Sequence, residues 1–177
     1  MKYVTQEQIN ARMPWVLQSP RQQGKVALLV VRPSTGQRMT PEKTRFTPET
    51  GVAGDNWSSQ AYKPADTEVQ VAIMNARMIE LIAGAPQHWP LAGDQLFVDF
   101  NLSRTHLSHG QRLQVGEAEL EITTEPHRGC EKFRRRFGDT ALRHVNSPLG
   151  DLHRLRGVYA KIITAGEVRL GDPIYKR

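Results

Sequence analysis

The longest strongly apolar run in the chain is six residues, Val26–Val31. A run that short suits one buried strand and falls far below the roughly 20 residues of a membrane span. The other apolar segments are shorter, and turn residues punctuate them. Lys25–Arg32 reads as a strand followed by turn chemistry at Pro33-Ser34-Thr35-Gly36. Glu68–Met74 and Gln95–Asp99 read as two more strands. Arg112–Val115, Gly116-Glu117 and Ala118–Thr123 predict a hairpin, because Ala118, Leu120 and Ile122 alternate with Glu117, Glu119 and Glu121. Gly157–Thr164 and Val168–Leu170 complete the set as a last pair of strands, and Gly171-Asp172 reads as a turn.

Helical signals are few. Thr5-x-x-Gln8 is a capping-box pattern, which predicts a helix over Gln6–Met13 that Pro14 ends. Asn75 caps a second helix through Ile82, stopped at Gly84. Gly129–Phe137 is helix-compatible up to Gly138, and Asp139 caps a continuation to about Val145. Residues 40–67 carry breaks at Pro41, Pro48, Gly51–Gly54 and Pro64 and read as a long loop. The fold class is therefore mainly β, a barrel-like sheet with a few short peripheral α-helices. Its 177 residues fit one domain, with residues 1–24 as an N-terminal helix and lead-in and 25–177 as the domain proper.

Charge is concentrated. The chain carries a formal +6, and the 128–156 segment holds eight Lys or Arg against Glu131, Asp139 and Asp151. A local positive field of this kind points to an anionic ligand or to nucleic acid. The N-terminal stretch has no apolar core of the secretory type, so a cytoplasmic location is expected. The single cysteine, Cys130, excludes an internal disulfide and a Cys-x-x-Cys metal site.

Cys130 lies at the predicted start of a helix, where unpaired N–H groups favour negative charge. Arg128, Lys132 and His127 surround it in sequence, a setting that favours the thiolate, which is the reactive form. The competing reading is a small buried hydrophobe. His127 is placed to meet the thiolate or a ligand anion, or else is a satisfied loop histidine. His144 and His153 are expected on the surface. In Arg134-Arg135-Arg136 consecutive side chains diverge by about 100°, so the run reads mainly as a solvated face. Phe133 and Phe137, one turn apart, read as the core anchors of that helix. Gly51-Val52-Ala53-Gly54-Asp55 lacks the lysine of a phosphate loop and the spacing of a dinucleotide loop. Asn56 and Trp57 after it would suit a pocket rim.

An ordered set of short motifs runs from Gly93-Asp94 through Asn101-Leu102, Val115-Gly116 and Pro126-His127-Arg128-Gly129-Cys130-Glu131-Lys132-Phe133. It continues with Arg156-Gly157-Val158-Tyr159-Ala160 and Gly166–Asp172. This set resembles the MOSC domain family, named for the C-terminal domain of molybdenum cofactor sulfurase, from about Lys25 to Ile174. The resemblance implies a β-barrel with peripheral helices and a cysteine, here Cys130, that carries sulfur or coordinates molybdenum of the pterin cofactor (molybdopterin). It implies Arg128, Lys132 and Arg156 against the cofactor phosphate, and Asp55 and Asn101 against pterin or substrate. His127 and Cys130 are then the catalytic candidates. Many members place an acid directly before the Asn-Leu pair. Here Phe100 stands there and the acid is Asp99.

Two chemistries follow from the resemblance: reduction of N-hydroxylated substrates with molybdenum cofactor and an external redox partner, or sulfur transfer. In sulfurases a pyridoxal-phosphate cysteine desulfurase domain supplies the sulfur, and this chain is too short to hold one. The alternatives are a sulfur carrier or partner-binding module without turnover, and a basic barrel that binds nucleic acid. The last would want exposed aromatics for stacking, and aromatic residues are only 7% of the chain. No membrane association is expected.

Overall fold

A computed structural model describes residues 2–59 and 65–177. Seven strands form a closed barrel: β1 (Gln23–Leu29), β4 (Val71–Asn75), β5 (Leu96–Asp99), β6 (Arg112–Val115), β7 (Ala118–Ile122), β8 (Val158–Thr164) and β10 (Pro173–Lys176). Their order around the barrel is β1-β10-β6-β7-β8-β4-β5, and β1 pairs with β5 to close it. Neighbours run antiparallel except β4 and β5, which are parallel. That pair needs a crossover, supplied by helix α2 (Ala76–Ala83) and the 3-10 segment Pro86–Ala92. A smaller sheet of β2 (Lys43–Thr47), β3 (Gly51–Val52) and β9 (Gly166–Arg169) lies beside the barrel.

Alternation decides which side chains fill the barrel. Along β7, Ala118, Leu120 and Ile122 are buried while the two glutamates between them are half-buried. Leu29, Ile73, Leu96, Val115 and Ile174 join them in one interior cluster. The outer faces of β4 and β5 are apolar too, with Met74 and Phe97 fully buried. They are covered by Met13 of α1 (Gln6–Leu17), Met78 of α2, and Phe133 and Phe137 of α3 (Glu131–Val145). The two phenylalanine rings pack 4.8 Å apart, as their one-turn spacing predicts. Each ring contributes on the order of 1.5–3 kcal/mol by burial.

The structure corrects several expectations. Helix α1 runs through Pro14 to Leu17, because Ile9, Met13 and Val16 are anchored in the core on both sides of the proline. The expected loop at 40–67 contains β2 and β3, whose buried positions (Thr44 and Phe46 in the one, Gly51 and Val52 in the other) are too few to show a period in sequence. The break at Pro64 lies outside the described residues. The expected last two strands, β8 and β9, do not pair with each other: β8 pairs with β4 and β7, and β9 pairs with β2, while an unexpected strand, β10, enters the barrel between β1 and β6. A five-residue helix, α4 (Pro148–Leu152), capped by Ser147, was not expected. Trp57 is buried and donates its indole N–H to the Asp66 carbonyl, so it is a core residue and not a pocket rim. His144 is half-buried rather than on the surface.

Gly138 interrupts α3 with φ 88° and ψ 169°, so the helix is two helical pieces around one left-handed residue. A side chain there would also meet the Tyr3 ring at 2.9 Å. Cys130 is the N-cap of the first piece.

Candidate functional site

Cys130 is the N-cap residue of α3 and is exposed. Two features fix its place. The Asn146 carboxamide accepts from the Gly129 N–H at 2.8 Å and donates to the Gly129 carbonyl at 2.9 Å, clamping the residue before the cysteine to the far end of the same helix. Gly129 is closely packed: a Cβ there would lie 2.8 Å from Leu142 Cδ1 and 3.2 Å from Val145 Cγ2, so those side chains would have to move. The partial burial of Cys130 raises its thiol pKa. The backbone N–H groups of Phe133 and Lys132 lower it, the charges of Arg156 and Lys132 add to that, and the net direction is downward. The N–H groups act through their dipoles, since the thiol makes no cap hydrogen bond with them.

Behind the cysteine lies a buried ionic frame. Asp94 has no exposed side-chain surface and accepts from Arg156 Nη1 at 2.9 and 2.8 Å. Arg156 Nη2 donates to the Ala92 carbonyl at 3.0 Å, and its guanidinium stands 5.0 Å over the Phe133 ring. Burial pushes the Asp94 carboxyl up, and the charge and hydrogen bonds of Arg156 only partly offset this, so it stays above the usual carboxylate range. Alongside, Arg32 donates to both oxygens of Asp55, at 2.8 and 2.9 Å, and to the Gly93 carbonyl at 2.9 Å. Asp55 is also fully buried. Two arginines are thus pinned on either side of the Gly93-Asp94 turn. Arg38 and Arg136 add to the same field, donating to the carbonyls of Pro90 and Leu91.

His127 packs between these groups. Its ring lies 4.1 Å from the Tyr159 ring, and its Nδ1 is 3.6 Å from Asp94 Oδ1. Burial drives its pKa well down, and the charges of Arg156 and Arg32 push the same way, so the imidazole is neutral at physiological pH. Gly157, at φ 113°, lets the chain pass: a Cβ there would lie 2.2 Å from the Ile73 carbonyl and 3.1 Å from His127 Nδ1.

The structure therefore brings Cys130, His127, Arg128, Lys132 and Arg156 to one region, with Asp55 behind it. The Asp55 carboxylate accepts from Arg32 and from the Trp57 N–H. Asn101 lies apart, lining a shallow pocket with Ser19, Asn75 and His153 and accepting from the Ser103 N–H. Asp99 forms an ion pair with Arg77 at 2.7 Å and serves the packing of α2. In the arginine run, Arg134 and Arg135 both grip Glu131, whose carboxyl is pulled down to about 2. Sequence reasoning missed Asp94, Arg32, Tyr159 and Asn146 as site residues. Asp94 and Tyr159 stand within the ordered motifs, which was the available signal.

A model of the MOSC domain matches residues 68–175. The chain belongs to the MOSC domain family. Among solved structures, this MOSC chain is similar to the YuaD protein from Bacillus subtilis, with 21% identity, a TM-score of 0.62, and coverage of 88% of this chain and 96% of that one. It is also similar to YiiM from Escherichia coli (16% identity, TM-score 0.56, 86% and 69% covered). YiiM from Geobacillus stearothermophilus is a further match (12% identity, TM-score 0.57, 87% and 75% covered). These likenesses show the MOSC barrel fold. No curated protein matches the chain.

Proposed function

We propose that this MOSC protein holds molybdenum cofactor through the Cys130 thiolate. The observation that carries the reading is an exposed thiol at a helix N-cap, pulled toward its ionised form by helix N–H groups and nearby cations. The residues suit the group. A thiolate is a soft ligand for a soft metal–sulfur centre. Arg156 and Lys132 act on the thiol as cations, as a phosphate-bearing pterin requires. Among the described residues no cluster of three His, Cys, Asp or Glu side chains could hold a bare metal ion. A metal here would arrive chelated by its organic carrier, and Cys130 would add one ligand.

When bound, the cofactor supplies two-electron redox chemistry, suited to reduction of an N–O bond in an N-hydroxylated substrate. The chain's own part is binding and electrostatics. Cys130 supplies the thiolate, Asp94 keeps Arg156 fixed beside it, and neutral His127 closes the inner wall. Elemental analysis of protein purified from a host that makes the cofactor tests the reading. Molybdenum near one equivalent per chain, lost in Cys130→Ser, is the expected result. Absence of molybdenum, with none gained on reconstitution, defeats it.

A second reading is favoured by the exposure of the thiol, which suits exchange with another protein. Cys130 thiolate would take sulfur from a desulfurase persulfide, forming Cys130–S–SH and releasing the donor's thiolate. A persulfide found without metal separates the two. Nucleic-acid binding finds less support, because Phe133 and Phe137 are buried and two of the arginines are tied to Glu131.

A further inference from the structure

The segment 124–130 carries both His127 and Cys130, yet it belongs to no helix or strand. Among the described residues its backbone from 124 to 129 makes two hydrogen bonds, both at Gly129 and both with the Asn146 carboxamide. The flanking backbone is tied in the ordinary way. The Thr123 N–H donates to the Tyr159 carbonyl at 3.0 Å, and the Cys130 carbonyl accepts from the Arg134 N–H at 3.0 Å. Between those points one side chain fastens the loop to the rest of the protein.

Asn146 reaches Gly129 only because α3 turns back on itself. A straight helix of 15 residues would be about 22 Å long. Asn146 follows the last of these residues and Gly129 precedes the N-cap, yet the two meet at 2.8 and 2.9 Å. The reversal lies at Gly138, the one residue within α3 whose backbone angles are not helical. Tyr3 holds it from outside, with its ring against Gly138 and its hydroxyl donating to the Arg135 carbonyl at 3.1 Å. The second piece is a firm base. Ala141 and Val145 are buried, and the Asn146 N–H donates to the Leu142 carbonyl at 3.1 Å. α4 backs it closely, since a Cβ on Gly150 would lie 2.4 Å from the carbonyl oxygens of His144 and Val145.

A carboxamide that accepts from the N–H and donates to the carbonyl of the same residue reproduces one rung of a sheet ladder. Such a rung fixes the peptide planes on both sides of Gly129, and with them the direction in which the chain enters Cys130. We propose that Asn146 is the positioning residue of this loop: carried back to Gly129 by the reversal at Gly138, its carboxamide sets where Cys130 and His127 stand. This rests on the reading of Cys130 as the working thiol and assigns the support that holds it. The charged and titratable groups that act on the sulfur, Lys132 from α3 and Arg156 and Tyr159 from β8 and the residues before it, are no part of the clasp. Removing the clasp therefore alters position and leaves the charges in place.

The test uses the full chain purified without molybdenum. Amide hydrogen exchange followed by NMR reads Gly129 directly. Alkylation by iodoacetamide at a pH of about 10, where the thiol is ionised in every variant, reads the setting of the sulfur apart from its titration. Asn146→Ala is expected to speed exchange at Gly129 by about tenfold or more. It should speed alkylation by about threefold, because a thiolate that moves off the Lys132 and Phe133 N–H groups is a stronger nucleophile. Asn146→Leu, which keeps the bulk but neither bond, should do the same, with circular dichroism confirming the fold of both. Ser147→Ala removes the cap of α4 one residue further on. It should lower the urea midpoint and leave both rates as in the parent. Unchanged rates in Asn146→Ala, parental rates in Asn146→Leu, or the same acceleration in Ser147→Ala would each overturn the assignment. Absence of molybdenum from the protein defeats the cofactor reading alone, because these rates are measured without it.

Discussion

One sulfur atom concentrates most of the chemistry argued above, and its ionisation is open to measurement. The folded chain lowers the Cys130 pKa, so thiolate is present at a pH where an ordinary thiol, with a pKa near 8.5, stays protonated. Alkylation by iodoacetamide across a pH series should be half-maximal below about 8.5 in the native protein and return to the ordinary value in urea. The linkage has a definite sign. Below the ordinary thiol pKa the unfolded chain holds a proton that the native chain does not. The stability due to this group is therefore present above that pKa and lost as pH falls through the native one. Lys132→Ala should move the alkylation midpoint upward. A midpoint unchanged between native and unfolded protein would show that the helix N–H groups and nearby cations do not act on the sulfur.

Among the elements, α1 carries the clearest internal conflict. Pro14 sits inside it, exposed on its outer face, and has no N–H to give to the carbonyl of Asn10. Pro14→Ala should restore that bond and stabilise the protein by roughly 1–3 kcal/mol, read from urea unfolding. A loss of stability would mean that the ring packs in a way that outweighs the missing bond. Sequence patterns could not reveal this, because a proline is ordinarily a stop, and only the burial of Ile9, Met13 and Val16 shows why the helix continues. Elsewhere the elements were legible where periodicity was long. The β6–β7 hairpin was readable from its alternation, and α2 from its Asn75 and Gly84 caps. β2, β3, α4 and β10 were not, since each has two to five residues and few buried positions. The candidate site divided in the same way. Residues next to Cys130 in sequence were visible, but Asp94 and its partner Arg156 are 62 positions apart, and nothing local marks either as half of a pair.

For the whole molecule, closure of the barrel depends on a very short strand. Ile174 is the one buried side chain of β10, and it is fully inside. Through β10 the chain joins β1 to β6, so this strand is the last stave of the ring. Ile174→Ala should cost about 2–5 kcal/mol, measured as a shifted urea midpoint. A cost well below that range would show that the backbone ladder of β10 holds the ring without its anchor.

This order of assembly has a consequence for synthesis on the ribosome. β1 is made near the beginning, but its two neighbours come much later, β5 at residue 96 and β10 at residue 173. Until residue 176 has emerged, the nascent polypeptide keeps two open sheet edges, one on β1 and one on β6. A chaperone that shields exposed edges would therefore have its main period of action before β10 is released.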